Sequence, residues 1–369
     1  MKKIISVLMV LALCLCIFSS CGTGSGSEDL AGAHILMFKN TGNAYGTQMF
    51  DGFKRAIELA GGRPVFKSPS EPTVAAQVEM LDTLITQQVA SITISPCGDT
   101  GYEEVFRRAK EAGIEIVSTD NVVAPEFRTT HVSDCDTQDI GSALIQSGVL
   151  IALGIDYPAD GNLENAVKNA LKDYNGKELK IGVLSSAIDT TAQNNWIACM
   201  KNELEKDFYK GKVSKELDIK YGNDVPTEAT TQANAFVTEN AVDVIVSPTT
   251  VGLAAAGQVL KSSSSKIKVT GLGLPHEMQS FMPTSESDNA FDFVCPFMLL
   301  WDVVELGAAA GAAAIAAYKG DYDGKIGSTY TLEDKTFETI AAVDGGTRVI
   351  ALSPLIFHKG NMAEWVDKL

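Results

Sequence analysis

The chain has 369 residues and carries 46 acidic side chains against 30 basic ones, so its formal net charge is −16. Such a charge repels nucleic-acid phosphates and argues against a DNA or RNA partner. The length exceeds what one hydrophobic core usually organises, and it predicts two lobes of ordinary domain size.

The chain begins with the pattern of an export signal. Lys2 and Lys3 give it a positive start, and the apolar run over 4–18 is too short for a comfortable membrane span. We therefore predict a signal peptide over 1–20 and an exported protein. Removing Lys2 and Lys3 with this leader takes the net charge from −16 to −18.

The residues that follow the leader predict a lipid anchor. Small residues precede Cys21, as in a bacterial lipobox, in which the cysteine receives a diacylglycerol and becomes the new N-terminus. This lipid would hold the protein at the extracellular or periplasmic face of the cell membrane. A Gly- and Ser-rich stretch then predicts a flexible linker within 21–32. Phe18 stands where such boxes usually carry Leu, which leaves simple secretion and an uncleaved anchor helix as alternatives.

From Ala33 onward, short apolar runs rich in β-branched residues alternate with longer segments of helical period. This alternation predicts βαβ units and a parallel sheet. In chain order the first series is the strand AHILMF, the helix TQMFDGFKRAIELAGG, the strand RPVFK, the helix TVAAQVEMLDTLITQQ, the strand ASITISP, the helix YEEVFRRAKEAG and the strand IEIVSTDN.

A second series of the same kind predicts a second lobe. It begins after the strand RTTHVSD and the long apolar helix DIGSALIQSGVLIALG, and it continues with LKIGVLSS, TTAQNNWIACMKNELEKD, LDIKYG, TEATTQANAFVTEN, VDVIVSP, GLAAAGQVLKSS and IKVTGLGLP. The predicted fold class is therefore α/β, with two doubly wound parallel-sheet lobes.

The tail after Pro275 departs from this order. It contains a short helix, a strand FDFVCPF, the Ala-rich helix LLWDVVELGAAAGAAAIAAYKG, a polar loop, and strands around ETIAAVD and RVIALSP. The Ala-rich segment is as apolar as a membrane helix, but Asp302 and Glu305 open it and Gly307 and Gly311 interrupt it. We predict a packed interior helix there.

The cysteines and histidines are too dispersed for a zinc or thioredoxin-like site. The cysteines of the mature chain after Cys21 are Cys97, Cys135, Cys199 and Cys295, and the histidines are His34, His131, His276 and His358. Isolated cysteines beside apolar residues are expected to be small buried hydrophobes, with disulfides as the alternative. Neither a metal nor a cofactor is predicted.

Polar residues recur where the predicted strands end. In open parallel sheets, ligands bind at the carboxyl ends of the strands. The residues there are Lys39, Asn40, Asn43, Pro96, Cys97, Asp120 and Asn121 in the first series, and Ser185, Ser186, Gln193, Pro248, Thr249, Thr250 and Pro275 in the second. Amides, hydroxyls, one ammonium and one carboxylate suit the hydroxyl groups of a sugar-like ligand. For each residue alone, a role in a turn or a helix cap explains the sequence as well as ligand binding does.

Catalytic signatures are absent from the sequence. It has no GxSxG elbow, no GxxxxGK[ST] phosphate loop and no Cys/His pair in a suitable context. Nothing around Lys39 marks it as an activated Schiff-base lysine. The sequence therefore predicts a binding protein rather than an enzyme.

Several segments together give the chain a resemblance to a known family. They are FKNTGNAYG, SPSEPTVAAQVEMLD, the Thr119-Asp120 pair, TAQNNW, SPT at 247–249, LWDV and the closing SPLIFHKGN. With the signal and the two α/β lobes, they resemble the type 1 periplasmic (solute) binding proteins of ABC importers. Within that family the chain is most similar to the autoinducer-2 and rhamnose binding branch.

The resemblance implies roles for particular residues. A lysine after the first strand and an aspartate after the fourth hold the ligand in that branch, and they correspond to Lys39 and Asp120. The family's glutamine and proline correspond to Gln193 and Pro248. The full predicted ligand-binding set is Lys39, Asn40, Asp120, Asn121, Gln193, Pro248 and Thr250.

Two positions depart from the pattern of the autoinducer-2 receptors. Those receptors have the aspartate of their TDQN motif where this chain has Ala192. Two positions after the proline they have a small residue, typically Ala, where this chain has Thr250. Losing one acceptor favours rhamnose or another sugar, unless the hydroxyl of Thr250 replaces it. The resemblance therefore leaves the ligand open between autoinducer-2, rhamnose and related sugars.

The resemblance also implies a periplasmic-binding-protein-like I fold with a three-crossover hinge. We predict an N-terminal lobe of 33–130 plus 275–322 and a C-terminal lobe of 131–274 plus 323–369. The predicted crossovers lie near 120–134, 273–276 and 320–330.

The function implied is that of a monomeric, membrane-anchored binding protein that delivers its ligand to an ABC permease and its ATPase. A sensor that presents the same ligand to a membrane kinase or chemoreceptor is the alternative. A sugar-responsive repressor is disfavoured by the export signal and by the acidic charge.

Overall fold

A computed structural model describes residues 29–39 and 41–369, and one unit spans Ala31–Leu369. The predicted signal peptide, the predicted lipidation site Cys21 and the predicted ligand-binding residue Asn40 lie outside the described residues. In chain order the described strands are β1 (His34–Met37), β2 (Pro64–Lys67), β3 (Ser91–Ile94), β4 (Glu115–Thr119), β5 (Thr130–Ser133), β6 (Ile181–Ser185), β7 (Asp218–Tyr221), β8 (Val244–Ser247), β9 (Lys268–Gly271), β10 (Met298–Leu300), β11 (Thr329–Leu332), β12 (Lys335–Glu338), β13 (Ile340–Ala341), β14 (Thr347–Ile350) and β15 (Leu355–Phe357). The described helices are α1 (Ala44–Leu59), α2 (Val74–Thr86), α3 (Glu103–Glu111), α4 (Thr137–Ala152), α5 (Leu163–Lys172), α6 (Thr191–Leu204), α7 (Pro226–Glu239), α8 (Thr250–Ser262), α9 (Pro275–Met278), α10 (Val303–Lys319) and α11 (Met362–Trp365).

The first sheet is built on strands β1 to β5. Within the described residues its order is β13-β14-β5-β4-β3-β1-β2, and neighbours run parallel except β13 and β14. The inner strands β1 (HILM) and β3 (SITI) are buried along their whole length. Strands that are buried on both faces are typical of a parallel sheet that is covered on both sides.

The second sheet is smaller and wholly parallel. In the part of the chain that the structure describes, its order is β7-β6-β8-β9. A bridge between Leu272 and Leu299 joins β10 to this sheet, and β15 pairs antiparallel with β10. Helix α4 packs against β8 and β9, while α7 packs on α8. Two parallel sheets with flanking helices confirm the predicted two-lobed α/β fold.

Three of the predicted strands differ in the structure, and the predicted polar loop after α10 contains the antiparallel pair β11 and β12. RTTHVSD, predicted from residue 131 onward for the C-terminal lobe, forms β5 and pairs with β4 in the first sheet. RVIALSP, predicted for the C-terminal lobe, forms β14 and joins β5 in the same sheet. FDFVCPF is not a strand, since its beginning forms a short 3-10 helix and β10 starts only at Met298. Periodicity identifies a strand but not the sheet edge that it joins, and β5 and β14 cover one another's edges here.

Within residues 41–369 the chain passes between the two sheets three times, at 134–136, 301–302 and 351–354. The first and third passages lie side by side. The Ala351 N–H donates to the carbonyl of Ser133 at 2.9 Å, and the Leu352 N–H donates to that of Asp134 at 2.8 Å. Two of the three passages are therefore hydrogen-bonded to each other and are not independent linkers.

These passages do not coincide with the predicted crossovers. Only the first predicted crossover touches an observed passage, and it does so at Asp134. Residues 273–276 stay beside the second sheet, between β9 and α9, and residues 320–330 connect α10 to β11. From the strand pairing we propose lobes of 33–133 plus 303–350 and 137–300 plus 355–369.

The Ala-rich helix α10 is an interior helix, as predicted. It packs along α1, and the two backbones touch where each helix has a glycine. A Cβ placed on Gly52 would lie 1.7 Å from the carbonyl oxygen of Val304, and one on Gly307 would lie 1.8 Å from that of Met49. No helix of the described residues is long and apolar enough to cross a membrane.

The cysteines among the described residues are all free thiols. Cys135 and Cys295 are buried, which confirms the prediction that isolated cysteines act as small hydrophobes, and Cys97 and Cys199 are half-buried. The alternative of a disulfide between any of these four cysteines is therefore not supported.

Candidate functional site

Lys39 follows β1 directly and lies at the centre of a charged cluster. Its Nζ is 3.0 Å from Oδ2 of Asp120, which follows β4. The Ser95 hydroxyl donates to the same carboxylate oxygen at 2.6 Å. Asp120 has a φ of 60°, in the left-handed region that costs energy for a residue with a side chain. Strain of this kind is held in place by surrounding structure and is common at binding sites.

The charge of Lys39 is set by burial and by two carboxylates. Burial lowers the pKa of Lys39, but the nearby charges of Asp120 and Asp224 outweigh it, so the pKa stands above its ordinary value. Asp224 follows β7 in the other sheet, and its Oδ2 is 3.7 Å from Lys39 Nζ. Lys39 is therefore a permanent cation that can donate hydrogen bonds to ligand oxygens.

A cavity of about 400 Å³ opens beside this cluster. Predicted site residues from both sheets line it, namely Lys39, Asp120, Gln193, Pro248 and Thr250. The first two follow strands of the first sheet, while Gln193 and Thr250 lie in the first turns of α6 and α8. The carboxyl ends of the two sheets thus face one another across this cavity.

Asn121 lies next to Asp120 but does not line this cavity. Its Nδ2 donates to the carbonyl oxygen of Pro96 at 2.9 Å, and the side chain is buried. This bond ties the loop after β4 to the loop after β3. The structure therefore gives Asn121 a part in shaping the loops rather than a place at the cavity wall.

Aromatic side chains form the apolar part of the cavity wall. They are Phe38, Tyr45, Trp196 and Trp301. The Trp301 Nε1–H donates to the Tyr45 hydroxyl at 2.9 Å, and the rings of Trp196 and Trp301 lie 5.9 Å apart. Burial raises the pKa of Tyr45 well above its usual value, so its hydroxyl stays protonated. Flat apolar rings beside hydrogen-bonding groups suit a sugar, which has both kinds of surface.

Sequence reasoning missed these aromatic residues and Asp224. Asp224 lies where LDIKYG ends, and the strand-end rule applied to that segment would have found it. The two tryptophans lie in the TAQNNW and LWDV segments, but nothing in their spacing shows that they meet. Their place in the wall depends on the passage at 301–302 between the sheets.

Gln193 lines the cavity and has an unsatisfied side-chain acceptor. Its Oε1 is buried and has no hydrogen-bond partner within the described residues. An unmet buried acceptor is costly, so it is normally satisfied by water or by a ligand.

Polar contacts also cross the cleft beside the cavity. The Thr191 hydroxyl, at the start of α6, donates to Oδ2 of Asp99, in the loop after β3. On another side, Gln48 of α1 and His276 of α9 are joined by a 3.3 Å hydrogen bond. These contacts hold the two sheets in a closed arrangement.

A second cavity, of about 580 Å³, lies on the other side of Asp120. Its wall includes His131, Asp134, Ala192 and Arg348. Burial raises the pKa of Asp134 to about 8 and lowers the pKa of His131 to about 3, so both are uncharged near neutral pH. Nowhere in residues 29–39 and 41–369 do three or more His, Cys, Asp or Glu side chains form a group that could hold a metal ion.

Comparison with known proteins agrees with this geometry. The profile of the periplasmic binding protein domain matches residues 34–321, which is most of the chain. The chain belongs to the periplasmic binding protein family. This family consists of solute-binding proteins rather than enzymes, and its members are exported.

A solved relative places this periplasmic binding protein among the sugar ABC transporter proteins. It is an ABC transporter solute-binding protein from Clostridium phytofermentans with bound L-rhamnose. The two chains are 30% identical, the match covers 91% of this chain and 98% of the other, and the TM-score is 0.78.

More distant structures share the fold. LsrB from Clostridium saccharobutylicum, in complex with AI-2, is 19% identical with a TM-score of 0.75, and the match covers 90% of this chain and 99% of that one. A solute-binding protein from Burkholderia graminis, in complex with D-arabinose, is 15% identical with a TM-score of 0.66, and the match covers 92% and 99% of the two chains.

Proposed function

We propose that this periplasmic binding protein is a lipid-anchored receptor that captures one small neutral sugar between its lobes and delivers it to an ABC permease and its ATPase. The observation that carries the proposal is the cavity in which the Lys39–Asp120 pair faces Gln193 and an aromatic wall. These groups offer both donors and acceptors to hydroxyls, together with an apolar surface for the ring carbons.

The charge of the cavity favours a neutral ligand. Among the described lining residues, the carboxylates of Asp120 and Asp224 face the single ammonium of Lys39. A phosphorylated or carboxylated sugar would add negative charge to a desolvated space that already has an excess of it. The L-rhamnose complex of the Clostridium phytofermentans relative makes L-rhamnose the first ligand to test, and the AI-2 complex makes autoinducer-2 the second.

Ligand capture follows from the two-lobed architecture. A ligand that contacts Lys39 and Asp120 on one side and Gln193 and Pro248 on the other binds the closed arrangement more tightly than an open one. Only such differential contacts can shift the equilibrium between the two. The passages at 134–136, 301–302 and 351–354 are the segments about which the lobes would move.

A thermal-shift screen of the mature protein tests the ligand. The panel contains L-rhamnose, autoinducer-2, ribose, xylose and galactose, with D-galacturonate as an anionic control. A sugar that binds the native state raises the melting temperature, and titration calorimetry then gives its affinity. We expect a shift with L-rhamnose or autoinducer-2 and none with galacturonate. A panel without any shift would contradict the proposed function.

The proposed anchor is tested separately in cells. The wild-type protein should fractionate with membranes, and a Cys21→Ser variant should be released or remain unprocessed. Equal membrane association of both proteins would contradict lipidation at Cys21, without bearing on the ligand.

A further inference from the structure

Asp224 lies in a turn whose shape is imposed by the neighbouring strand. Asn223 and Asp224 both have left-handed backbone conformations, with φ of 54° and 52°. The N–H groups of Gly222 and Asn223 donate to the carbonyls of Ser185 and Ser186, which fixes the turn to the end of β6. Two successive left-handed residues with side chains are unusual, and they direct the chain toward the cavity that Asp224 lines.

The two carboxylate oxygens of Asp224 are in different situations. Oδ1 accepts a hydrogen bond from the Thr249 hydroxyl at 2.6 Å, which holds the side chain against the loop after β8. Oδ2 is 3.7 Å from Lys39 Nζ, which is too long for a hydrogen bond. Within the described residues Oδ2 has no hydrogen-bond donor. The carboxylate is therefore oriented by one oxygen and available to a ligand through the other.

The gap between Asp224 and Lys39 has the polarity of a hydroxyl site. Lys39 Nζ can only donate and Asp224 Oδ2 can only accept, whereas a hydroxyl can do both. In contrast, Lys39 and Asp120 already form an ion pair at 3.0 Å. A sugar hydroxyl that lies beside Lys39 Nζ and Asp224 Oδ2, within hydrogen-bond distance of both, would connect the two lobes.

Asp224 also bears on the departure at position 192. Ala192 lies in the TAQNNW segment of α6 and, like Asp120, lines the second cavity. Its methyl side chain offers no hydrogen-bond acceptor. That helix position lines the second cavity rather than the cavity that contains Lys39. With Asp224 present, the second lobe supplies its carboxylate from the end of β7 instead.

We propose that Asp224 is a ligand-binding residue that determines specificity. Its Oδ2 accepts a hydrogen bond from a hydroxyl of a neutral sugar, and the same hydroxyl accepts a hydrogen bond from Lys39. The inference rests on the proposed sugar-binding function, since it assigns a residue of the same cavity. It makes Asp224, rather than the helix position occupied by Ala192, the acidic contact from the second lobe.

Calorimetry on Asp224→Asn and Asp224→Ala tests this assignment, with the panel sugar that binds the wild-type protein as the probe. Asn keeps the shape of the side chain and tolerates left-handed backbone, so the fold should be retained. We expect at least about a tenfold loss of affinity in Asp224→Asn, because a charge-assisted hydrogen bond in a desolvated cleft is lost, and a greater loss in Asp224→Ala.

Asp218→Asn is the matched control, because Asp218 lies on β7, the strand that Asp224 follows, and pairs with Lys220 away from the cavity. The melting temperature of the ligand-free Asp224→Asn protein should stay close to that of the wild type while its ligand-induced shift shrinks. Wild-type affinity in both Asp224 variants would overturn the inference and leave the proposed function standing. Failure of the wild-type protein to bind any panel sugar would overturn the proposed function, and this inference with it.

Discussion

Lys39 and Asp120 form an ion pair in the wall of the cavity, with their charged atoms 3.0 Å apart. Lys39 is 9% exposed, so its ammonium depends on protein acceptors rather than on water. Asp120 also receives the Ser95 hydroxyl, which fixes the orientation of its carboxylate. A ligand therefore meets a site whose donors and acceptors are already in position, and little ordering is needed on binding.

We expect Asp120→Ala to weaken binding of the cognate sugar by about 1–3 kcal/mol, because it removes an acceptor from a desolvated cleft. Titration calorimetry measures the loss. Asp173→Ala, at an exposed helix end, is the control and should bind normally. Unchanged affinity in Asp120→Ala would exclude Asp120 from the ligand contacts.

Asp134 is a buried carboxyl group in the first passage between the sheets. Burial raises its pKa to about 8, although the Cys135 N–H and Arg348 favour the ionised form. Its pKa in the unfolded chain is near 3.8. The folded state therefore holds the proton more tightly, and the stability that this gives is present at low pH and is lost as pH rises toward 8.

The difference between the wild type and an Asp134 variant from pH 6.5 to 8 isolates this effect. Burial lowers the pKa of His34 to about 4 and that of His131 to about 3, while both titrate near 6.5 in the unfolded chain, so the histidines raise stability as pH increases, and equally in both proteins. We expect the contribution of Asp134 to the free energy of unfolding to fall by roughly 1–2 kcal/mol across this window, at up to about 1.4 kcal/mol per pH unit.

Asp134→Asn should abolish most of that fall, because an amide does not titrate. Urea denaturation at pH 6.5 and pH 8 makes the comparison. Equal pH dependence in the variant and the wild type would show that Asp134 ionises normally in the folded protein.

Much of the site could be predicted from residues at strand ends, and the reason is geometric. Parallel strands bring their carboxyl ends to one edge, so Lys39, Asp120 and Pro248 need no further information to be placed there. Trp301 could not be found in this way. It reaches Tyr45 across 256 residues of sequence, through a passage between sheets whose position no local pattern shows.

At the scale of elements, the crossing of α1 and α10 depends on glycine. The backbones approach so closely at Gly52 and Gly307 that any side chain there would enter the carbonyl oxygen of the opposite helix. Gly311, one turn further along α10, is less confined, since its Cβ would lie 3.0 Å from the nearest atom. The two helices can thus approach so closely because neither has a side chain at the crossing.

We expect Gly307→Ala to destabilise the protein by about 3 kcal/mol, because the helices must separate to admit a methyl group. Gly311→Ala is the matched control and should cost clearly less, since its Cβ would lie 3.0 Å from the carbonyl oxygen of Phe53 and needs a shift of only a few tenths of an ångström. Chemical denaturation of the two variants measures both values. Equal stability of Gly307→Ala and the wild type would contradict so close an approach of the backbones.

The sequence predicts a strand or helix correctly where the pattern lies within one segment. It does not predict which sheet a strand joins, because that depends on a distant segment. The segment LKIGVLSS is a strand by its apolar run, and it forms β6. RTTHVSD and RVIALSP are also strands, but their place in the first sheet depends on the pairing of His131 with Arg348. Two segments so far apart in sequence carry no mutual signal in a single chain.

At the scale of the whole molecule, contacts across the cleft oppose opening before a ligand arrives. The Thr191 hydroxyl bonds to Asp99 beside the cavity, and Lys39 faces Asp224 within it. Each contact lowers the free energy of the closed arrangement relative to the open one. The more strongly these contacts favour the closed arrangement, the less of the ligand's binding free energy is needed to close the lobes.

Thr191→Val should shift the ligand-free protein toward the open arrangement, because it removes a hydroxyl that spans the cleft. We expect a larger radius of gyration by small-angle X-ray scattering without ligand, and the wild-type value when the cognate sugar is saturating. Thr230→Val, which removes a hydroxyl bonded within α7, is the control. Identical scattering from Thr191→Val and the wild type, both without ligand, would show that this contact does not hold the lobes.

The order of the strands along the chain has a consequence for biosynthesis. The first sheet takes up β14 at its edge, and β10 beside the second sheet waits for β15, so both lobes need segments beyond residue 346. In a growing chain the first sheet and the β10–β15 pair therefore stay incomplete until the residues beyond 346 have been made. In an exported protein, this order of strands delays the completion of both lobes during synthesis.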